Sequence, residues 1–337
     1  MMLKVGVIGC GGMGRDHIKR LTERTQGATV TAVADMVDEL IDMAAAIAGP
    51  DCKKFKNADD LINCPDVDAV FIVTPGFAHK DALLSAIRAG KRIFCEKPLC
   101  TTAEDCLTVI DAEVKSGKHL IQLGFMRRYD KGYLQIKEAI KSGEYGAPLM
   151  VHCTHRNPLV PDSYTTEMAV HDTAIHEIDV IHWLVDDDFV SAQVLFPRVT
   201  GAVAAHLKDP QIMLLRTKSG ICVDDEVFVN CKFGYDINCE VVCEDGALKM
   251  AQPSYPDVRK DAKVATTIDT DCFVRFHDAY DAEVQGWVND AATGVINGPN
   301  AWDGYLAAIT ADALVRAQKS GAIEEIKPAQ EKPDFYN

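Results

Sequence analysis

The chain has 337 residues, 47% of them hydrophobic and 25% charged, the balance of an ordinary globular protein with material for about two domains. A net charge of −15 argues against nucleic acid and anionic membrane surfaces as partners, since both repel an acidic protein, and leaves small neutral ligands open. Twelve cysteines are scattered without a C-x-x-C pair, and the first residues lack a secretory pattern, so reduced thiols in a cytoplasmic protein are expected. No apolar run approaches ~18 residues, so no membrane-spanning helix is expected.

Short apolar runs alternate with helical stretches in the first part of the chain, the mark of a parallel βαβ sheet. Strands are predicted at LKVGVIG (Leu3–Gly9), TVTAVAD (Thr29–Asp35), DAVFIVT (Asp68–Thr74), RIFCE (Arg92–Glu96) and LIQLGF (Leu120–Phe125). The helical stretch HKDALLSAIRAG stops at Gly90, a C-cap glycine. Beyond Phe125 the pattern changes. YLQIKEAIKSG closes a helix at Gly143, PLMVHCTHR is a strand, and Glu167–Asp188 is predicted to be a second helix. FVSAQVLFPRV, QIMLLRTKSG, ICVDDEVFVNCKF and DINCEVVCEDGALKM then alternate as an antiparallel sheet would, before a late helix at AWDGYLAAITADALVRAQKSG. The expected fold is α/β: a doubly wound parallel Rossmann sheet over 1–124, then an α+β domain over 125–337 with a large, mostly antiparallel sheet.

The segment VGVIGCGGMGRDH carries Gly9, Gly11 and Gly14 as G-x-G-x-x-G, leaving an apolar strand and opening a helix. In that context Gly9 permits the tight turn, Gly11 lets the backbone approach a pyrophosphate, and Gly14 allows close helix–strand packing. Gly12 and Met13 lie in the same loop, whose helix N-terminus faces phosphate charge. Asp35 ends the second strand, 21 residues after Gly14. A carboxylate there accepts hydrogen bonds from the adenosine ribose hydroxyls and repels a 2′-phosphate. Met36, Val37 and Asp38 follow with no Arg or Lys, which favours NAD over NADP.

The fourth strand ends in Glu96-Lys97-Pro98 and the third in TPGFAHKD. With the glycine loop, these resemble the family of glucose–fructose oxidoreductases and inositol dehydrogenases, and within it the bacterial inositol 2-dehydrogenases. The resemblance runs from Val5 to Ile309. It implies that the E-K-P turn delivers Lys97 to the nicotinamide, usually ahead of a cis proline, and that HDTAIHEID holds the D-x-x-x-H catalytic helix. GFMRRYD, HRNP and the Gly234-Tyr235 pair look like substrate-site motifs. Met126, Arg127, His155, Asn157, Tyr235 and Tyr280 are the substrate contacts so implied. Thr74, Pro75, His79 and Glu96 are implied on the cofactor side.

On a wheel of 100° per residue, Ala174, Ile175, Ile178, Ile181 and Val185 share an apolar arc, while Asp172, His176, Asp179 and Trp183 share another. Asp172 and His176 are then neighbours. An acid beside a histidine stabilises imidazolium, which suits a general base for a secondary alcohol. Lys97, at a strand's C-terminal edge, can hold the substrate oxygen. His182 falls near the apolar arc as a core histidine, and Asp179 is expected to be structural. HEIDV begins like H-E-x-x-H, but Val180 stands where the second histidine would be, and no metal is expected.

The resemblance implies NAD-dependent oxidation of myo-inositol to the 2-keto product by a homotetramer, with Asp172 supporting, His176 taking the proton and Lys97 positioning the oxygen. Alternatives stay open: scyllo-inositol or glucose as substrate, an NAD-retaining glycoside hydrolase, or a non-enzymatic NAD-binding sensor.

Overall fold

The computed structural model describes residues 2–337 apart from 202, 204 and 252–254. The chain forms two compact units. One comprises Met1–Phe125, Tyr280–Ala308 and Gln330–Asn337, the other Met126–Ala279 and Ile309–Ala329.

In chain order the first part gives β1 (Leu3–Ile8), α1 (Gly12–Glu23), β2 (Ala28–Ala34), α2 (Asp38–Ala48), β3 (Lys53–Phe55), α3 (Ala58–Ile62), β4 (Ala69–Ile72), α4 (His79–Arg88), β5 (Arg92–Glu96), α5 (Ala103–Ser116) and β6 (Ile121–Gly124). The six strands are parallel in the order β3-β2-β1-β4-β5-β6. The order reverses at β1, so the carboxyl ends of β1 and β4 open a crevice there, where ligands of such sheets bind. All four residues of β4 are buried, as a central strand covered on both faces requires. Short β3, with the sequence KKF, has no apolar run to announce it.

The middle of the chain forms α6 (Lys131–Ser142), β7 (Pro148–Arg156), α7 (Ile175–Val185), β8 (Phe189–Leu195), β9 (Gln211–Thr217), β10 (Cys222–Phe228), β11 (Asp236–Cys243), β12 (Ala247–Lys249), β13 (Val258–Lys260) and β14 (Lys263–Ala265). Helix α6 starts at Asp130, whose carboxylate accepts from the Gly132 and Tyr133 N–H groups, and ends at Gly143 with φ +71°. With the two-residue β15 (Glu324–Glu325), a seven-stranded sheet runs β12-β11-β7-β10-β9-β8-β15. Its pairs are antiparallel except β7–β10, which is parallel. Alternation in sequence predicts which face a residue occupies, not which strand is its neighbour.

The last helices are α8 (Cys272–Arg275), α9 (His277–Thr293) and α10 (Ala301–Ser320). Val284, Trp287, Val288 and Ala291 of α9 enter the core of the first unit, with the Trp287 indole donating to the Ile93 carbonyl at 3.2 Å. The chain end returns to the same unit. The Tyr336 hydroxyl donates at 2.6 Å to Glu113, whose other oxygen accepts from the Leu120 and Ile121 N–H groups.

The helix expected over 167–188 is not uniform. Ala169–Ala174 is π-helical and only Ile175–Val185 is α-helical, ending at Asp186 with φ +51°. Bonding from i to i+5 turns the chain by less than 100° per residue, so the wheel does not hold upstream of Ile175. The Tyr164 hydroxyl bonds Thr173 Oγ1 at 2.6 Å and the Met168 carbonyl at 2.8 Å, which ties down the wider turn.

Candidate active site

At the end of β1 the backbone leaves no room for side chains. Gly9 has φ +97°, and a Cβ there would lie 2.5 Å from the Val73 carbonyl oxygen. A Cβ on Gly14 would lie 2.0 Å from the Gly9 carbonyl oxygen. Above Gly11 and Gly12, by contrast, nothing lies within 4 Å. Helix α1 begins at Gly12 with no acid in its first turn, so its own residues leave the field of its N-terminus unopposed. Half-buried Met13 follows. Asp35, just past β2, accepts from the Cys10 N–H at 2.8 Å and the Val37 N–H at 3.0 Å, which fixes its carboxylate beside the glycine turn. An open glycine cradle, a helix N-terminus and a held carboxylate fit a dinucleotide.

The next two strand ends are tied together from behind. Thr74 is half-buried and Pro75 exposed after β4. His79 is fully buried. Its Nε2 lies 2.7 Å from the Thr74 carbonyl and its Nδ1 2.7 Å from the Pro98 carbonyl. Burial pushes its pKa down, against the pull of the two carbonyls. His79 therefore braces the two loops rather than lining open space. Glu96 also turns inward: Oε1 meets His17 Nε2 at 2.8 Å, and Oε2 accepts from the Lys97 N–H at 3.2 Å. Lys97 is half-buried and precedes a cis Pro98. Tyr280 packs in this first unit, its ring 6.1 Å from that of His17 and 5.1 Å from the Arg20 guanidinium.

The second unit gathers a separate polar group on the inner side of its sheet. Met126 and Arg127 are buried in a 3₁₀ turn after β6. The Arg127 Nη1 donates to Glu177 Oε1, and its Nη2 lies 3.1 Å from His155 Nδ1, which is itself 2.9 Å from Glu177 Oε2. Burial alone would push the Glu177 carboxyl up, but Arg127 and His155 outweigh it and hold it below the ordinary glutamate value. The His155 ring lies 6.4 Å from that of His176 and meets Tyr235 edge-on at 5.7 Å. Tyr235 is buried one residue past Gly234 (φ +135°), where a Cβ would collide with Ile268. Asn157 is half-buried past β7, its backbone held by Phe228 and Cys231. Arg127, His155, Tyr235 and His176 are thus brought together. Asp172 is exposed and His176 half-buried, on either side of the junction between π and α turns.

Several members of this group carried no signal in isolation. Glu177 sits between His176 and Ile178 and reads as one more helix acid, yet it is 1% exposed and neutralises Arg127. Asp179 is paired with Arg128 through two bonds, of 2.9 and 2.5 Å. The pair Arg127-Arg128 is therefore not a solvated charge run. Each guanidinium grips an acid of α7, and those two acids are two residues apart. His182 is partnered, with Nε2 2.9 Å from Asp188, and stays half-buried. Asp225, on β10 beside Cys153, is buried, and burial together with the Glu177 charge pushes its carboxyl well above the aspartate range.

Residues 3–125 match the oxidoreductase family with an NAD-binding Rossmann fold, and residues 133–249 match the GFO/IDH/MocA C-terminal domain. The chain belongs to the GFO/IDH/MocA oxidoreductases. Its glycine cradle and Asp35 are accordingly those of an NAD-binding domain. Among similar proteins, the inositol 2-dehydrogenase of Serratia proteamaculans is 50% identical over 337 residues, covering 100% of each chain. That of Ralstonia nicotianae is 50% identical over 336 residues, covering 100% of this chain and 99% of its own. The crystal structure of the Lactobacillus casei myo-inositol dehydrogenase with NAD(H) and myo-inositol superposes with a TM-score of 0.97 at 42% identity, covering 100% of both chains. The apo scyllo-inositol dehydrogenase of the same organism gives 0.90 at 25% identity, covering 96% of this chain and 98% of that one. Among the described residues no helix is long and apolar enough to cross a membrane.

Proposed function

We propose that the chain is an NAD-dependent inositol 2-dehydrogenase that oxidises the axial hydroxyl of myo-inositol to the 2-keto product. The observation that carries this reading is the end-to-end likeness to the L. casei enzyme solved with NAD(H) and myo-inositol, at 42% identity against 25% for the scyllo-inositol enzyme. The second unit's chemistry agrees with a neutral polyol. Arg127 already has its counter-charge in Glu177, so it is no dedicated anion clamp.

NAD, when bound, supplies the acceptor for the hydride of the carbinol carbon. His176 takes the hydroxyl proton, and Asp172 stabilises the imidazolium that results. The Lys97 ammonium donates to the substrate oxygen and steadies it as negative charge builds. Asn157, Tyr235 and the edge of His155 supply directional hydrogen bonds for the remaining hydroxyls, and Met126 an apolar wall. Gly9, Gly11, Gly12 and Gly14 admit the pyrophosphate, Asp35 takes the ribose hydroxyls, and Thr74 with Pro75 borders the nicotinamide end.

The same reading includes a cytoplasmic homotetramer. All twelve cysteines are free. The outward side of the second sheet mixes Met150, Ile212, Leu214 and Phe228 with the Arg156–Glu226 ion pair, a surface suited to self-association.

The test is a panel of myo-inositol, scyllo-inositol and glucose with NAD and NADP, followed by NADH or NADPH absorbance. Myo-inositol with NAD is expected to give the highest kcat/KM. His176→Ala is expected to lower kcat about 10²- to 10⁴-fold while NAD still binds. No net NADH from myo-inositol, with turnover of another polyol or of a glycoside, overturns the substrate assignment. NADP preferred over NAD overturns the role of Asp35.

A further inference from the structure

The E-K-P turn is held by a residue on another element. His17 lies on α1, one turn past Gly14, and is 0% exposed. Its ring is enclosed by Phe71 at 5.5 Å, Phe94 at 5.4 Å and Tyr280 at 6.1 Å, all edge-on. Within that apolar cage Nε2 reaches Glu96 Oε1 at 2.8 Å, while Nδ1 is buried with no hydrogen-bond partner among the described residues. Nε2 is thus the nitrogen placed to donate to the carboxylate, while Nδ1 faces aromatic rings. A phenylalanine or leucine would fill the cage without the cost of burying a polar ring.

A second observation concerns the other side of the carboxylate. Gly124, at the end of β6, shows no left-handed φ, so its backbone does not require glycine. A Cβ there would lie 3.0 Å from Cδ, Oε1 and Oε2 of Glu96 alike. The space kept by Gly124 and the bond given by His17 hold one carboxylate from two directions. Its remaining oxygen accepts from the Lys97 N–H.

We propose that His17 is a positioning residue for Lys97, acting through Glu96. The bond from His17 fixes the Glu96 carboxylate, the carboxylate fixes the Lys97 peptide, and the peptide sets the direction in which the ammonium leaves the turn. Because His17 stands on α1, whose first turn carries the glycine cradle, cofactor binding and lysine placement share one rigid frame. The proposal rests on the role given to Lys97 above.

The test compares His17→Leu, His17→Gln and Gly124→Ala with the wild-type enzyme. It uses whichever polyol the wild-type enzyme oxidises, so that a wrong substrate assignment does not mask the result. Lys97→Met in the same series judges the lysine's role separately. Measured are kcat, KM, the NAD dissociation constant, the isotope effect with carbinol-deuterated substrate, and the melting temperature. His17→Leu is expected to lower kcat about 10- to 100-fold, the size of an ångström-scale misplacement. The isotope effect should rise as hydride transfer becomes limiting, while NAD affinity changes less than about 3-fold. His17→Gln, which can donate to the same oxygen, should recover most of kcat. Gly124→Ala, with His17 intact, should reproduce the Leu signature, and it carries the test if His17→Leu does not fold. A wild-type isotope effect in His17→Leu, equal impairment by Leu and Gln, or wild-type kinetics in Gly124→Ala overturns the proposal.

Discussion

Replacing Glu177 by alanine removes the carboxylate that faces Arg127: each side chain of the pair is 1% exposed, and His155 leans on the same acid. Breaking a buried pair from one side strands the other charge, at a cost of about 3–5 kcal/mol. For a unit of this size that is a fall of roughly 6–20 °C in melting temperature. Urea unfolding gives the loss, and hydrogen exchange in peptides covering 175–185 locates it on α7. The combined variant Arg127→Met with Glu177→Leu should recover most of it, because well-packed apolar side chains replace buried pairs at little cost. Since Arg127 and His155 hold Glu177 below the ordinary value of 4.5, its contribution is complete above that pH and is lost as pH falls through the depressed value. The gap between wild type and Glu177→Ala should therefore close in acid. A loss below about 1 kcal/mol at neutral pH, or a double variant as unstable as the sum of the singles, refutes the reasoning.

Two further outcomes separate fold from ligand. Gly11→Ala places its Cβ in open space on ordinary backbone (φ −64°), so the melting temperature should hold while NAD binding weakens at least about 10-fold by calorimetry. Gly14→Ala puts a Cβ 2.0 Å from a carbonyl oxygen and should lower both. Tyr336→Phe removes a donor from buried Glu113, with an expected loss of about 1–3 kcal/mol at neutral pH. Burial pushes the Glu113 carboxyl up and the tyrosine opposes this, so the loss should shrink as the acid is protonated on lowering the pH. A loss independent of pH would assign the effect to packing of the ring.

The cofactor end was legible because its residues are local. Gly9, Gly11, Gly14 and Asp35 follow from what one turn and two strand ends require, and the strands around them are announced by apolar runs. Helix α9 was less visible: Val284, Trp287 and Val288 are spaced for a helix face, but Gly286 and four acids dilute the pattern. The candidate site in the second unit was legible only in part. His155, Tyr235, Arg127 and His176 stand in readable motifs, and their side chains lie near one another. Glu177, which neutralises the arginine, was hidden as an unremarkable helix acid.

By itself the sequence determined the two-part α/β and α+β organisation, the NAD-type glycine turn with Asp35, and the residue types available for proton transfer, all from contiguous motifs and periodicity. Only the tertiary structure decided where the buried charges go. Arg127 meets Glu177 across 50 residues, Arg128 meets Asp179 across 51, and His17 meets Glu96 across 79. It also decided that the start of the histidine-rich helix is a π turn, so that a uniform wheel of 100° per residue does not describe residues 169–174. The physical reason is the same in each case. A charged side chain is solvated in the unfolded chain wherever it stands, and its partner is chosen by which strands and helices the packed core brings against it.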